Sequence, residues 1–397
     1  MLDTPFPPWP NFSDAEIDAV SAVLRSNRVN YWTGDETRKF ETAFASFADC
    51  SHAIAVANGT LAIDLALHAL KIGKGDEVVV TPRSFIASVS SVVNCGATPV
   101  FADVDADSQN ISAGTIAEVL TPKTKALLVV HLAGMPADMD EIMALATLHD
   151  LKVIEDCAQA HGARYKGKSV GSFGHIGAWS FCQDKIMSTG GEGGMVTTND
   201  FDLWSSMWSY KDHGKSWNAV YDRQHPAGYR WLHESFGTNW RMTEIQGVLG
   251  RIQLENMPAW QRERLANATQ LWSACKQYEW LRVPDIEAHV IHAAYKAYVF
   301  VESAKLPKGW SRDRIVCELI EAGVPAYSGS CAEIYRERAF VDAGLSPERP
   351  LKVAQDLGST SLMFLVHPGL RGVPIDKTCQ AIAQIDSLIR SDGALSL

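Results

Sequence analysis

The chain has 397 residues, of which 46% are hydrophobic and 21% charged, and its formal net charge is −10 at pH 7. This length and balance predict a globular protein with a larger and a smaller domain, which we place at residues 1–255 and 256–397. The negative charge argues against nucleic acid and anionic membrane surfaces as partners, so any phosphate-bearing ligand needs a local binding site.

Short runs of β-forming residues alternate with helical stretches through the first two-thirds of the chain. Several runs are apolar on both faces, as in VVV and LLVVH, which is typical of a parallel sheet covered by helices on each side. The runs predict seven strands: Ala53–Ala57, Val78–Pro82, Pro99–Asp103, Ala126–His131, Lys152–Asp156, Ala178–Phe181 and Met195–Thr198. Helices fit between them, for example at Thr60–Leu70 and Asp138–Leu148. The fold class is therefore α/β with a mostly parallel sheet.

A long helical pattern then connects to the last third of the chain. It covers Arg241–Gln277 and contains Pro258, which predicts a kink or a restart of the helix. The elements predicted beyond it are strands at Ala294–Val301 and Gly323–Tyr327 and helices at Ser311–Glu321 and Ile375–Ser391. They are enough for a small α/β lobe.

Two charged residues follow strand ends in a pattern that suits cofactor chemistry. Lys185 lies just beyond a strand in AWSFCQDKIMSTGGEGGMVTTND, beside small residues that let a ligand approach, as a Schiff-base amine needs. Asp156 ends the strand in KVIEDCAQAHG, where open α/β sheets bind ligands. Beside a pyridine nitrogen at about 4 Å, such a carboxylate contributes roughly 4 kcal/mol toward keeping it protonated. Taken singly, the lysine is more often a solvated charge and the aspartate a helix cap.

The segment ANGTLA provides the features of a phosphate site. It joins a strand to the helix that begins near Thr60, and backbone amides at a helix start bind phosphate. Gly59 permits close approach, and the hydroxyl of Thr60 adds a donor. Alone this signal is weak, because Asn-Gly-Thr is also an ordinary capped turn.

Together these elements resemble the DegT/DnrJ/EryC1/StrS sugar aminotransferases, which have the aspartate-aminotransferase fold. The resemblance runs from about Phe12 to the late motif LVHPGL at Leu365–Leu370. The segments that carry it are NGTLAIDLAL, GDEVVVTPRSFIASVSSVV, GATPVFADVD, VVHLAGMPADMDEI, VIEDCAQAHGA, WSFCQDK with GGEGGMVTTND, and FGTNWRMTEIQGVLGRIQLE. The resemblance implies a fold-type-I transferase, with a seven-stranded large domain and a smaller α/β carboxyl-terminal domain.

Four side chains acquire roles around the cofactor ring through this resemblance. It implies that the cofactor is pyridoxal 5'-phosphate (PLP), which alternates with its aminated form, and that Lys185 holds it through a Schiff base. Asp156 is implied to pair with the pyridine nitrogen, and Gln159 to lie against the phenolic oxygen. Phe85 is implied to stack on the ring face.

The same resemblance implies which residues contact the phosphate group of the cofactor. It implies contacts from Gly59, Thr60, the amide of Leu61 and Ser180. In this family an asparagine equivalent to Asn239, in the GTNWRM motif, reaches the phosphate of the neighbouring subunit. The resemblance therefore implies a homodimer with shared active sites.

The substrates implied are L-glutamate and a keto sugar on a nucleoside diphosphate. Trp32 and Thr33 match the family's segment near the substrate opening, and His213 and Arg241 are candidates to contact the diphosphate. The cations considered with them are Arg28, Lys211, Lys215, Arg223 and Arg230. Most Lys and Arg residues in proteins lie at the surface, so we expect about half of these candidate cations to be surface residues without a role in binding.

Three departures concern the substrate side. The glycine cluster after Lys185 has one extra residue, Arg83 stands where an aromatic or small residue is usual, and SGSCAEIYRERAF replaces an expected PLH motif. Two alternatives therefore stay open, namely an aminotransferase for a non-nucleotide keto sugar or cyclitol and a PLP-binding regulator without turnover.

The remaining predictions concern environment. The eight cysteines are far apart and show no metal-ligand spacing, which favours reduced thiols, no metal site and a cytoplasmic location. Neither a signal peptide nor an apolar run of membrane-spanning length is visible, so we expect no membrane association.

Overall fold

The structure, a computed structural model, describes residues 6–394 of the chain. Two helices, α1 Asp14–Ser26 and α2 Glu36–Phe47, precede the first strand. The strands that follow are β1 His52–Val56, β2 Glu77–Val80, β3 Thr98–Phe101, β4 Thr124–Val130, β5 Lys152–Asp156, β6 Arg164–Tyr165, β7 Lys168–Ser169, β8 Ile176–Ser180 and β9 Gly194–Thr198. The helices among them are α3 Gly59–Ala69, α4 Ala87–Asn94, α5 Ala113–Ala117, α6 Met139–Leu148 and α7 Phe201–Tyr210.

Seven of these strands form one sheet in the order β1-β9-β8-β5-β4-β2-β3. Strands β3, β2, β4, β5 and β8 pair in parallel, whereas β9 runs antiparallel to both β8 and β1. Each predicted strand overlaps one of the seven, and all residues of β8 and β9 are buried. The prediction of a mostly parallel seven-stranded sheet in an α/β fold is confirmed.

The direction of the strands decides where a site can form. Strands β1, β4, β5 and β8 all end at the same edge of the sheet, because two antiparallel pairings restore the direction of β1. Asp156 is the last residue of β5 and Ser180 the last of β8, while Gly59 follows β1 and opens α3. Residues distant in sequence are therefore brought to one crevice, as is usual in open α/β sheets.

The rest of the chain builds a second, smaller layer. Its elements are α8 Glu244–Cys275, β10 Leu281–Arg282, β11 Val290–Ile291, β12 Lys296–Val301, α9 Arg312–Glu321, β13 Ala326–Tyr327, α10 Arg338–Asp342, α11 Lys352–Thr360, β14 Ser361–Leu365 and α12 Val373–Ala394. Four strands form an antiparallel sheet in the order β10-β12-β14-β13, and β11 joins β6 and β7 in a small third sheet. The central strand β14 was not among the predicted elements.

The long connecting helix differs from its prediction. α8 is continuous from Glu244 to Cys275 with Pro258 inside it, so the predicted restart does not occur, while a kink at Pro258 stays a prediction. The predicted boundary between residues 255 and 256 falls within this helix, and the two-domain division stays a prediction. Within residues 6–394, no helix combines the length and apolar character needed to cross a bilayer.

The segment around His292 joins the small layer to the large sheet. The amide of Ala293 donates to the carbonyl of Gly134 at 2.9 Å, and that of Tyr295 to Ala133 at 3.0 Å. His292 itself is buried, and its Nδ1 accepts the amide of Ala294 at 2.8 Å. Burial lowers the pKa of His292 from 6.5 to about 4.

This buried histidine predicts acid sensitivity. Between pH 6.5 and about 4 the unfolded chain binds a proton at His292 that the folded chain does not, so the free energy of unfolding falls as the pH falls. We expect up to about 3 kcal/mol to be lost across this window. His292→Asn keeps an acceptor but does not titrate, and its urea-denaturation free energy should depend less steeply on pH. His149→Asn, at an exposed position, is the control. Equal slopes for wild type and His292→Asn contradict the prediction.

Candidate active site

A cavity of about 940 Å³ lies at the carboxyl edge of the large sheet. It is bounded by strand ends and by the beginning of α3 on one side and by residues of the small layer on the other. The predicted residues that line it are Gly59, Thr60, Leu61, Phe85, Asp156, Gln159, Ser180 and Lys185. Lys185 and Asp156 thus face one space.

Lys185 is held in this cavity by residues from three parts of the chain. Its side chain is only 15% exposed, and its Nζ lies 3.7 Å from a carboxylate oxygen of Asp184. The hydroxyl of Tyr295 donates to the same carboxylate, and the Lys185 ammonium lies 5.3 Å from the centre of the Tyr295 ring. The indole of Trp9 donates to the Lys185 carbonyl at 2.8 Å. This lysine therefore points into a partly enclosed space with an acid beside it.

Asp156 is 4% exposed and has a defined orientation. Its Oδ2 accepts the hydroxyl of Ser88 at 2.7 Å, and its Oδ1 accepts the amide of Ala158 at 3.0 Å. Ser88 in turn lies 2.9 Å from the hydroxyl oxygen of Ser84. These donors fix the orientation of the carboxylate at the cavity, where it can pair with a ring nitrogen.

The neighbouring Glu155 has a structural environment instead. Side chains alternate along a strand, so Glu155 leaves β5 on the face opposite to Asp156. It is fully buried, lies 3.0 Å from Nε2 of His131, and accepts the amides of Gly171, Phe173 and Gly174 at 2.7, 2.8 and 2.7 Å. Glu155 therefore anchors a loop beneath the sheet. Only one acid of the predicted pair faces the cavity.

Gln159 is oriented by a backbone contact. Its Oε1 accepts the amide of Ala133 at 2.8 Å, which leaves the side-chain NH₂ free to donate to an anionic oxygen in the cavity. Ala133 also binds the small layer through Tyr295. This arrangement fits the predicted contact of Gln159 with a phenolic oxygen.

The start of α3 has the shape of an anion cradle. The first amides of a helix have no acceptor within it and attract negative charge. A side chain at Gly59 would place its Cβ 2.6 Å from the Cβ of Ser180, so only glycine allows this close approach. The hydroxyl groups of Thr60 and Ser180 line the same space. The amide of Leu61 is already bound by the capping side chain of Asn58 at 3.0 Å, and its predicted role stays a prediction.

Phe85 and the segment at 329–331 form the opposite wall. Phe85 is 66% exposed although it lines the cavity, so its ring face is free to stack on a ligand. Gly329, Ser330 and Cys331 of the unusual SGSC sequence also line the cavity, consistent with a substrate-side position.

Arg83, the second departure, is instead buried beneath this wall. Its Nε donates to Gln109 at 3.0 Å and its Nη2 to Ser361 at 2.7 Å. It thus joins the loop after β2 to β14, and its side chain contributes nothing to the cavity lining.

The remaining predicted residues lie together elsewhere, around the buried carboxylate of Asp212. Trp32 donates to it at 2.8 Å, and Arg241 and Lys215 lie 2.6 and 3.3 Å from it. Asn239 forms a bridge with Asp212 on the backbone. None of the predicted Trp32, Thr33, His213, Asn239 and Arg241 lines the cavity as residues 6–394 define it.

The exposure of these residues varies. Thr33, His213 and Asn239 are exposed. Lys211 is fully buried, with its ammonium 3.6 Å from the centre of the Tyr31 ring, and is a structural residue instead of a surface cation.

Sequence reasoning missed several residues of the site, among them Asp184 beside Lys185. Ser88 holds Asp156, while Tyr295 and Lys296 face the cavity from the small layer. Ser88 carries no recognisable signal, because its partner is 68 residues away in the chain. Tyr295 and Lys296 begin a predicted strand, but the sequence alone does not show which sheet edge that strand faces.

The amine, the ring-facing acid, the amide donor and the anion cradle fit PLP, and with this fold they define a PLP-dependent aminotransferase. The chain belongs to the DegT/DnrJ/EryC1/StrS aminotransferase family, whose profile matches residues 10–383.

Named relatives agree with this assignment. The chain is 37% identical to GDP-perosamine synthase of Caulobacter vibrioides over 87% of this chain and 89% of that protein. It is 43% identical to UDP-N-acetyl-3-dehydro-alpha-D-glucosamine 3-aminotransferase of Acidithiobacillus ferrooxidans over 57% of this chain and 58% of that protein. Among solved structures, an aminotransferase from Psychrobacter cryohalolentis is 63% identical and has a TM-score of 0.96, covering 97% of this chain and 100% of its own.

Proposed function

We propose that this enzyme transfers the amino group of L-glutamate to a keto sugar carried on a nucleoside diphosphate. The observation that carries the proposal is the complete set of Lys185, Asp156 and Gln159 in one cavity of a chain whose named relatives make or modify nucleotide sugars. The product would be an amino sugar for a surface polysaccharide such as lipopolysaccharide, or for a glycosylated metabolite. All eight cysteines are free thiols, which supports a cytoplasmic location.

The chain's own part in the chemistry is orientation and proton transfer. When bound, PLP supplies the electron sink for the carbanion charge. Nζ of Lys185 removes the proton from the α-carbon of the amino donor and returns a proton on the cofactor side. Asp184, 3.7 Å away, balances the charge when this nitrogen is protonated. Asp156 keeps the ring nitrogen protonated, and Gln159 donates to the phenolic oxygen.

In this proposal the keto sugar, the second substrate, binds against the cavity wall formed by residues 329–331. Ser330 is positioned by Tyr298, whose hydroxyl accepts the Ser330 amide at 2.9 Å. The side chains of Ser330 and Tyr327 line the cavity and provide polar groups for a sugar ring. We propose that this wall sets the choice of sugar, because it departs most from the family pattern.

We further propose that two copies of the chain form the active unit. The loop that carries Asn239 also carries large aromatic side chains that residues 6–394 leave mostly exposed, namely Tyr229, Trp231 and Phe236, at 72%, 79% and 100% exposure. Exposed aromatic clusters are typical of subunit interfaces. In this arrangement Asn239, His213 and Arg241 of one copy would serve the cavity of the other.

Breaking this contact should impair activity without unfolding the chain. We expect the double substitution Trp231→Asp and Phe236→Asp to yield monomers and to lower activity by at least about 10-fold at concentrations where the wild type is dimeric. Sedimentation velocity measures the oligomeric state. Leu148→Asp, which introduces the same charge at an exposed leucine on α6, is the control and should stay dimeric. A fully active wild-type monomer would falsify the shared site.

The experiment that tests the proposed function is a substrate screen. Purified holoenzyme is given glutamate with keto sugars on different nucleotides, with free keto sugars and with keto cyclitols, and 2-oxoglutarate release is measured. We expect turnover with a nucleotide-linked keto sugar. Turnover only with a cyclitol or free sugar supports the first alternative. A cofactor absorbance that does not shift on adding glutamate supports a regulator without turnover.

A further inference from the structure

The cavity contains a second lysine that this chemistry does not use. Lys296 is the first residue of β12, and it lines the cavity with Lys185. Its ammonium lies 4.7 Å from the centre of the Tyr295 ring, and that of Lys185 lies 5.3 Å from the same centre. The two nitrogens are therefore separated by at most the sum of these distances, about 10 Å.

The ammonium group of Lys296 forms no ion pair or hydrogen bond with the part of the chain that the structure describes. Among residues 6–394, no carboxylate oxygen lies within 4.0 Å of its nitrogen and no acceptor within hydrogen-bonding distance. Asp184, the acid nearest in effect, already accepts the hydroxyl of Tyr295 and pairs with Lys185. A half-buried cation without an acid beside it is stabilised when an anionic ligand binds next to it.

A buried arginine adds to the positive charge of this corner. Arg264 is 2% exposed, and only its Nη1 has an acceptor, the Tyr295 carbonyl at 3.4 Å. His367 stacks on Trp9 with ring centroids 5.5 Å apart, and burial lowers its pKa to about 3, so it adds no charge to this corner. Burial, together with the nearby charges of Arg264 and Lys185, lowers the pKa of Lys296 to about 8 against the opposing effect of Asp184. Lys296 is still mostly protonated at pH 7, so the corner keeps its positive charge.

On the basis of the proposed function, we propose that Lys296 binds a carboxylate of the amino donor. The α-carbon of the donor must come within reach of Lys185 Nζ, and the carboxylates of a dicarboxylate amino acid lie only a few bonds from that carbon. The phosphates of a nucleotide sugar lie beyond the sugar ring, and the cofactor phosphate has its own cradle at the start of α3. The donor carboxylate is thus the anion that can reach Lys296 while the reacting carbon faces Lys185.

The test compares Lys296→Met holoenzyme with wild type in two measurements. The first is the dissociation constant for glutarate, a dicarboxylate that cannot react, by calorimetry. The second is the kinetics of the reaction with each substrate, both in steady state and in a single turnover followed by cofactor absorbance. We expect weaker glutarate binding and a higher KM for glutamate, each by about 10- to 100-fold, with kcat at saturating glutamate within about threefold of wild type. The half-reaction with the keto sugar should be unchanged.

Matched variants separate charge from folding. Lys296→Arg should restore part of the glutarate affinity, whereas Lys377→Met, which removes a lysine of α12 that is buried outside the cavity, should bind glutarate as wild type does. Unchanged melting temperature and cofactor absorbance show that Lys296→Met is folded.

Several results overturn the proposal. These are a wild type that binds no glutarate, a Lys296→Met variant that binds it equally well, or a KM effect on the keto sugar alone. A different result would contradict the proposed function. A holoenzyme that glutamate does not convert contradicts the donor reaction, while the glutarate measurement still decides the role of Lys296.

Discussion

Lys185→Ala should abolish transamination, with a loss in kcat of about 10⁴-fold or more. The side chain supplies both the covalent attachment of the cofactor and the base that moves the proton, and the acid beside it, Asp184, cannot replace an amine. The measurement is a single-turnover reaction with glutamate, together with reduction of the holoenzyme by borohydride and mass analysis of the labelled peptide. In wild type the label should be found at Lys185.

The second lysine makes the control informative. Lys296 lines the same cavity, so Lys296→Met should keep the label at Lys185 while Lys185→Ala loses it. Label at position 296 in wild type, or near wild-type turnover by Lys185→Ala, would overturn the assignment of the catalytic amine.

Asp156→Asn should lower kcat by about 10²- to 10³-fold, since a close ion pair at an effective dielectric near 20 contributes about 4 kcal/mol and an amide cannot hold the ring nitrogen protonated. The fold should survive, because asparagine has the same shape and its oxygen can still accept the amide of Ala158. The rate of the glutamate half-reaction and the absorbance spectrum of the holoenzyme are the measurements.

Ser88→Ala serves as the graded control for this prediction. It removes one donor to the carboxylate but leaves its charge, so the loss should be at most about 10-fold. An Asp156→Asn variant as active as Ser88→Ala would show that the charge of Asp156 is not used.

If Lys296 binds the donor carboxylate, the small layer takes part in recognition of the amino donor. A protein with net charge −10 is proposed to bind an amino acid with two carboxylates, and Lys296, which has no acidic partner within 4.0 Å among residues 6–394, lies within the cavity. Glutamate binding should therefore respond to substitutions in the small layer as well as to those at the sheet edge.

The class of fold and the group of residues at the sheet edge could be predicted from the sequence. Runs such as LLVVH are apolar on both faces, as in a sheet covered on two sides, so the strands of the large sheet were predictable one by one. Asp156 and Ser180 end two of these strands, and Lys185 follows the second closely. Parallel strands bring their carboxyl ends to one edge, and the local order of residues was enough to place this group together.

The residues that complete the cavity come from contacts between distant parts of the chain. Ser88 meets Asp156 across 68 residues, and Arg83 meets Ser361 across 278, and no local pattern records either contact. Lys296 and Tyr295 reach the cavity because the backbone at 293–295 binds the turn at 133–134, which docks the small layer over the sheet edge. Such contacts depend on how two layers pack, and packing is set by the summed shape of many side chains that are far apart in the chain.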